Sequence, residues 1–80
     1  MMLTDRHRAC LVYLSGVMEA TGARIGEVVA PDPRRSSRGN AIIGNRIARE
    51  LMFWSGGALV TYLPDLKCWR ITRKGRQEIQ

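Results

Sequence analysis

Hydrophobic positions along this chain change rhythm several times, and each rhythm predicts an element. From Asp5 onward, Cys10, Leu11, Leu14, Val17 and Met18 recur at helical spacing, which marks one face of an amphipathic helix. Thr4 suits the N-cap, and Asp5 meets the positive end of the helix dipole. The helix is predicted over residues 5–20, weakened slightly by Gly16 and stopped by Gly22. In ARIGEVVA, Ile25, Val28 and Val29 fit one face of a short helix. Gly26 and the β-branched pair leave a strand as the alternative. Pro31 and Pro33 end that segment.

The stretch NAIIGNRIARELMFW carries the clearest pattern. Ile43, Ile47, Leu51 and Trp54 follow one another at spacings of four, four and three, so a helix is predicted with these residues toward the core. Asn40 or Ser37 can cap it, and Gly56-Gly57 ends it. The rhythm then shortens. ALVTYL and KCWRI alternate like strands and are predicted to pair as a hairpin around Leu63-Pro64-Asp65-Leu66. Thr72 caps a short final helix in RKGRQEI.

A hairpin following helices implies an α+β fold, with helices packed beside a small antiparallel sheet. The 80 residues and their 45% apolar content suit a single domain over residues 1–80 with one small core. Between the second and third helices lies PDPRRSSRGN, with no large apolar side chain. It is read as a basic Pro/Ser-rich loop over residues 31–39, either a spacer or a grip on something negative.

Charge and chemistry narrow the function. Thirteen Lys+Arg against seven Asp+Glu give a net charge of +6, and the pI near 10.4 meets a usual screen for nucleic-acid binding. Cys10 and Cys68 form neither a disulfide framework nor a CxxC zinc pair, and are expected to be buried free thiols. His7 is the only histidine, and no nucleophile, base and orienting group assemble around it. No catalysis, metal or cofactor is expected. Asp5, Arg6, His7 and Arg8 interrupt any leader-like apolar run, and no stretch reaches membrane-spanning length. These features point to a cytoplasmic protein, nucleoid-associated if it binds DNA, from a bacterial or viral setting.

The element order resembles a winged helix-turn-helix domain. The closest local similarity is ALVTYLPDLKCWRITRKGRQEI. In it a strand leads into a wing, and the second wing strand runs into an (Ile/Leu)-Thr-x-x-Gly step, here Ile71-Thr72-Arg73-Lys74-Gly75. ARIGEVVA is similar to the second helix of the motif and NAIIGNRIARELMFW to the third. The long link between them departs from the usual brief turn. The resemblance implies three helices, a C-terminal β-hairpin wing, a short terminal helix, and double-stranded DNA as partner. Such a protein is a small transcriptional regulator or a phage-type accessory factor.

With Ile43, Ile47, Leu51 and Trp54 as core, helical geometry puts Arg38, Ala41, Asn45, Arg49 and Met52 on the opposite face, and Arg46 on its flank. Arginine can pair with guanine and asparagine with adenine. Arg34 and Arg35 in the loop, and Lys67, Arg70, Arg73 and Lys74 around the hairpin, suit phosphates. Lys67 equally suits a charge guarding an edge strand. Met52, Phe53 and Trp54 make the end of the third helix apolar on nearly every side. That end is either deeply buried or a patch for an acidic protein partner, the alternative to DNA.

Overall fold

The computed structural model describes residues 2–80. Helix α1 (Asp5–Val17) opens with a reciprocal cap. The Thr4 hydroxyl accepts the His7 N–H at 3.1 Å, and the His7 Nδ1 accepts the Thr4 N–H at 3.1 Å. Because Nδ1 accepts, the ring proton sits on Nε2, which donates to Glu50 Oε1 at 2.8 Å. The ring also meets Trp54 edge to face at 5.3 Å. The single histidine therefore ties the start of α1 to the end of the third helix.

Helix α1 is shorter than the expected 5–20. It stops at Val17, Met18 turns with φ 73°, and Glu19–Ala20 forms strand β1. Sheet pairing wins over the last helical turn, which Gly16 already weakens. Ala20 is buried in register with Trp69, and the carboxylate of Glu19 meets Arg70 at 2.8 Å. Gly22 does not stop a helix. It is the first residue of α2 (Gly22–Val29), capped by the Thr21 hydroxyl.

Helix α2 packs on α3 (Ser37–Met52) through glycine. A Cβ placed on Gly44 would lie 1.7 Å from the Gly22 carbonyl oxygen, and one on Gly26 would lie 2.0 Å from the Asn40 carbonyl oxygen. Both obstacles are backbone, so the two helices touch main chain to main chain. The close approach sinks Ile25, Ile47, Ala48 and Leu51 into one core with Cys10, Leu11, Leu14, Leu59, Val60, Trp69 and Ile71.

Strands β2 (Val60–Leu63) and β3 (Cys68–Ile71) form the expected hairpin, with Tyr62 opposite Trp69 and Val60 opposite Ile71. The sheet is antiparallel throughout, with order β1-β3-β2. Helix α4 (Arg73–Glu78) follows directly. Its entry explains the Ile71-Thr72-x-x-Gly75 step. The Thr72 hydroxyl accepts the Gly75 N–H at 3.1 Å and donates to the Ala58 carbonyl at 2.8 Å. A Cβ on Gly75 would stand 2.2 Å from the Leu59 carbonyl oxygen. Threonine caps the helix, and glycine lets its first turn lie against the chain entering β2.

The architecture is thus α+β, with four helices and a three-stranded antiparallel sheet, one strand more than expected. Cys10 is fully buried, and burial pushes its thiol up to about 12, so it is not a thiolate near neutrality. Cys68 is half-buried, and both thiols are free. Among the described residues no helix is long and apolar enough to cross a membrane.

Two glycines separate contact from propensity. Gly44→Ala should lower stability by about 2–3 kcal/mol, because the added methyl meets unyielding backbone. Gly16→Ala meets nothing within 4 Å and should raise stability by about 0.5 kcal/mol through helix propensity. Urea denaturation of both variants checks the opposite signs.

Candidate nucleic-acid interface

Helix α3 is covered on two sides, and this decides which face is open. Gly44, Ile47, Ala48 and Leu51 are buried, with Gly44 against α2. On the hairpin side, the buried Trp69 donates its Nε1–H to Asn45 Oδ1 at 3.0 Å. Met52 packs against the core nearby. The exposed residues on this side are Arg38, Ile42, Arg46, Arg49 and Phe53, with Ser37 at the helix start and Glu50, bonded to His7, at its edge. The spacing from Arg38 to Phe53, of four, four, three and four residues, keeps those five on one helix face. Arg38 and Arg49 stand about 16 Å apart along the axis at 1.5 Å per residue.

The free stripe is rotated from the expected one. Arg38 and Arg49 remain on it, whereas Asn45 and Met52 turn toward the hairpin and Ala41 is half-buried. Arg46 moves from the flank to the centre, between Ile42 at 56% exposure and Phe53 at 74%. The reason is that the core does not lie behind Ile43, Ile47, Leu51 and Trp54 alone. Gly44 and Ala48, small residues a helix turn apart, mark a second packed side and were the signal for it in the sequence.

The basic loop is shorter than the expected 31–39. Ser36 caps α3 by accepting the Gly39 N–H at 3.1 Å, so Ser37, Arg38 and Gly39 belong to the first helical turn. The two loop arginines differ. Arg35 is only 19% exposed at its side chain. Its guanidinium donates to the Ala30 carbonyl at 2.7 Å and to Asn40 Oδ1 at 3.3 Å, with Asp32 at 3.8 Å. It fastens the end of α2 to the start of α3. Arg34 uses only its backbone N–H, bonded to Asp32 Oδ1 at 3.0 Å, and its side chain is exposed.

Around the hairpin the cations divide the same way. Arg70 pairs with Glu19, and the Lys74 ammonium bonds the Gly56 carbonyl across a turn where Gly56 and Gly57 have φ of 115° and 124°. Lys67, at the hairpin turn with φ 52°, and Arg73 are exposed and have no acidic partner among the described residues. The same is true of Arg34, Arg38, Arg46 and Arg49. The apolar trio also separates. Met52 faces the hairpin side, Trp54 packs on His7, and Phe53 alone projects outward.

Electrostatically, a cation without a neighbouring carboxylate keeps its full attraction for an external anion. Arg34, Arg38, Arg46, Arg49, Lys67 and Arg73 form no ion pair among the described residues, although Asp32 is close to Arg34 and Glu50 lies one turn from Arg46, whereas Arg35 and Arg70 are paired with Asp32 and Glu19. Comparison with known protein families, curated proteins and solved structures finds no match to this chain.

The loop arginines should part company on replacement. Arg35→Ala leaves the Ala30 carbonyl and the Asn40 side chain without their partner and should cost about 1–3 kcal/mol of stability. Arg34→Ala should stay within about 0.5 kcal/mol. Denaturation midpoints measured side by side check the difference.

Proposed function

We propose that this chain binds double-stranded DNA as a winged-helix-type domain, laying the open face of α3 in the major groove and the hairpin along the backbone. The observation that carries this reading is the row of three arginines without acidic partners, Arg38, Arg46 and Arg49, on one helix face. Guanidinium groups pair with guanine edges, and an apolar Ile42 among them suits a thymine methyl. Arg34, Lys67 and Arg73 suit phosphates, positioning the domain without reading sequence. The order of helices, hairpin and Ile71-Thr72-x-x-Gly75 step supports the winged-helix likeness. The role is that of a small transcriptional regulator or a phage-type accessory factor, with no catalytic step.

A second reading rests on the exposure of Phe53 and Ile42 beside the same arginines. Aromatic and arginine side chains together are the residues that anchor protein interfaces. In that reading α3 meets an acidic protein instead of DNA.

Fluorescence anisotropy with duplex DNA over a salt series distinguishes them. On the DNA reading, affinity falls steeply between low and moderate salt. Arg46→Ala and Arg49→Ala each weaken binding about tenfold and relax base preference, while Arg34→Ala and Lys67→Ala each lower the salt slope by about one. Affinity indifferent to salt, or unchanged when Arg46→Ala and Arg49→Ala are combined, would contradict it. Phe53→Ala should then impair only binding to an acidic protein.

A further inference from the structure

Between α3 and the hairpin lies a cleft of about 310 Å³, lined by Asn45, Arg49, Met52, Tyr62 and Trp69. Its chemistry is one-sided. The Asn45 oxygen already accepts the Trp69 N–H, and the Asn45 amide has no acceptor among the described residues, so its two N–H groups are left to donate. Arg49 adds a guanidinium with no acidic partner among the described residues. No carboxylate lines the cleft. Tyr62 contributes a hydroxyl that can donate or accept.

The apolar part is angled and adaptable, with the Tyr62 ring tilted 54° from that of Trp69. Trp69 is only 4% exposed and forms the floor, while Tyr62 leans on it at 4.8 Å and keeps 39% of its surface open. Met52 offers a flexible thioether that favours aromatic neighbours. The volume sits at the small end of ligand pockets, which run from about 300 to 1,000 Å³. An occupant must therefore be small, bring acceptors or negative charge for Arg49 and Asn45, and offer a ring to Tyr62 and Met52.

We infer that this cleft binds a small planar aromatic anion. Either an aromatic carboxylate or a nucleoside monophosphate supplies that chemistry. The site shares Arg49 with the DNA reading but needs neither a duplex nor the Arg38 and Arg46 side chains, so it can be tested without DNA.

The test is an NMR titration of the ¹⁵N-labelled protein with 2-naphthoate, with uridine monophosphate, and with neutral 2-naphthamide. Saturable shifts are expected at the Trp69 indole N–H, the Asn45 side-chain amide and Tyr62, complete below about 10 mM for at least one anion. Naphthamide should bind about tenfold more weakly than naphthoate if the carboxylate is the preferred anion. A stronger response to the nucleotide assigns the site to nucleoside monophosphates, and the reverse to aromatic carboxylates.

Asn45→Asp keeps an oxygen for the Trp69 N–H, so that resonance should persist. It replaces the donating amide with negative charge and should weaken binding at least about tenfold. Arg49→Gln, at an exposed position, should do the same if Asn45→Asp disturbs the fold. Unsaturated shifts with both anions, shifts confined to other basic residues, or unweakened binding in a folded variant would overturn the inference.

Discussion

Everything about this domain's outward face depends on how closely α2 and α3 approach. Gly26 and Gly44 let carbonyl groups of one helix sit where the other would carry a side chain, and Gly22 makes room for the Asn45 side chain. A contact of main chain on main chain has almost no play, unlike one made by flexible side chains. It fixes the rotation of α3 about its own axis. The Trp69–Asn45 hydrogen bond holds the other side, and the His7–Glu50 bond holds α3 near its C-terminal end. Three tethers from three different elements leave one face, and that face carries Arg38, Ile42, Arg46, Arg49 and Phe53, with the exposed Glu50 at its edge.

The same logic sorts the cations. A net charge of +6 says little about where positive potential is useful. Arg35 sits inward on the Ala30 carbonyl, and Arg70 is matched by Glu19 across the β1–β3 pair. Arg35 helps hold the architecture together, and its removal would be felt first as lost stability, whereas the exposed Arg70–Glu19 pair contributes little. Arg34, Arg38, Arg46, Arg49, Lys67 and Arg73 have no such role, which makes them the residues on which binding of an anion can be built. Arg49 belongs both to the open stripe and to the cleft beside Tyr62, so the two surfaces meet at one side chain.

Much of this was legible from the residues. Apolar periodicity located the helices and the hairpin, and Thr72 announced the last helix because capping is a local event. What stayed hidden depends on contacts distant in sequence. Strand β1 is too short to show alternation, and its pairing partner lies beyond two helices. Gly22 looked like a helix stop because glycine has that local meaning. Here its lack of a side chain serves Asn45 and Gly44 across the seam. Asn45 lies on the stripe that spacing predicts, but helical spacing alone cannot foresee the indole 24 positions later that takes its side-chain oxygen. Arg35 looked equivalent to Arg34 because nothing local distinguishes them.

The tethers rotate α3 so that Ile42 and Arg46, and not Ala41 and Asn45, lie on its open face, where the proposed duplex would sit. The direct measurement is an NMR map of backbone amide and arginine side-chain shifts with and without duplex DNA. If the proposed DNA reading holds, changes concentrate at Arg38, Ile42, Arg46 and Arg49, with a second group near Lys67. Changes centred on Ala41 and Asn45 with Ile42 and Arg46 silent, or no changes along α3 at all, would contradict it.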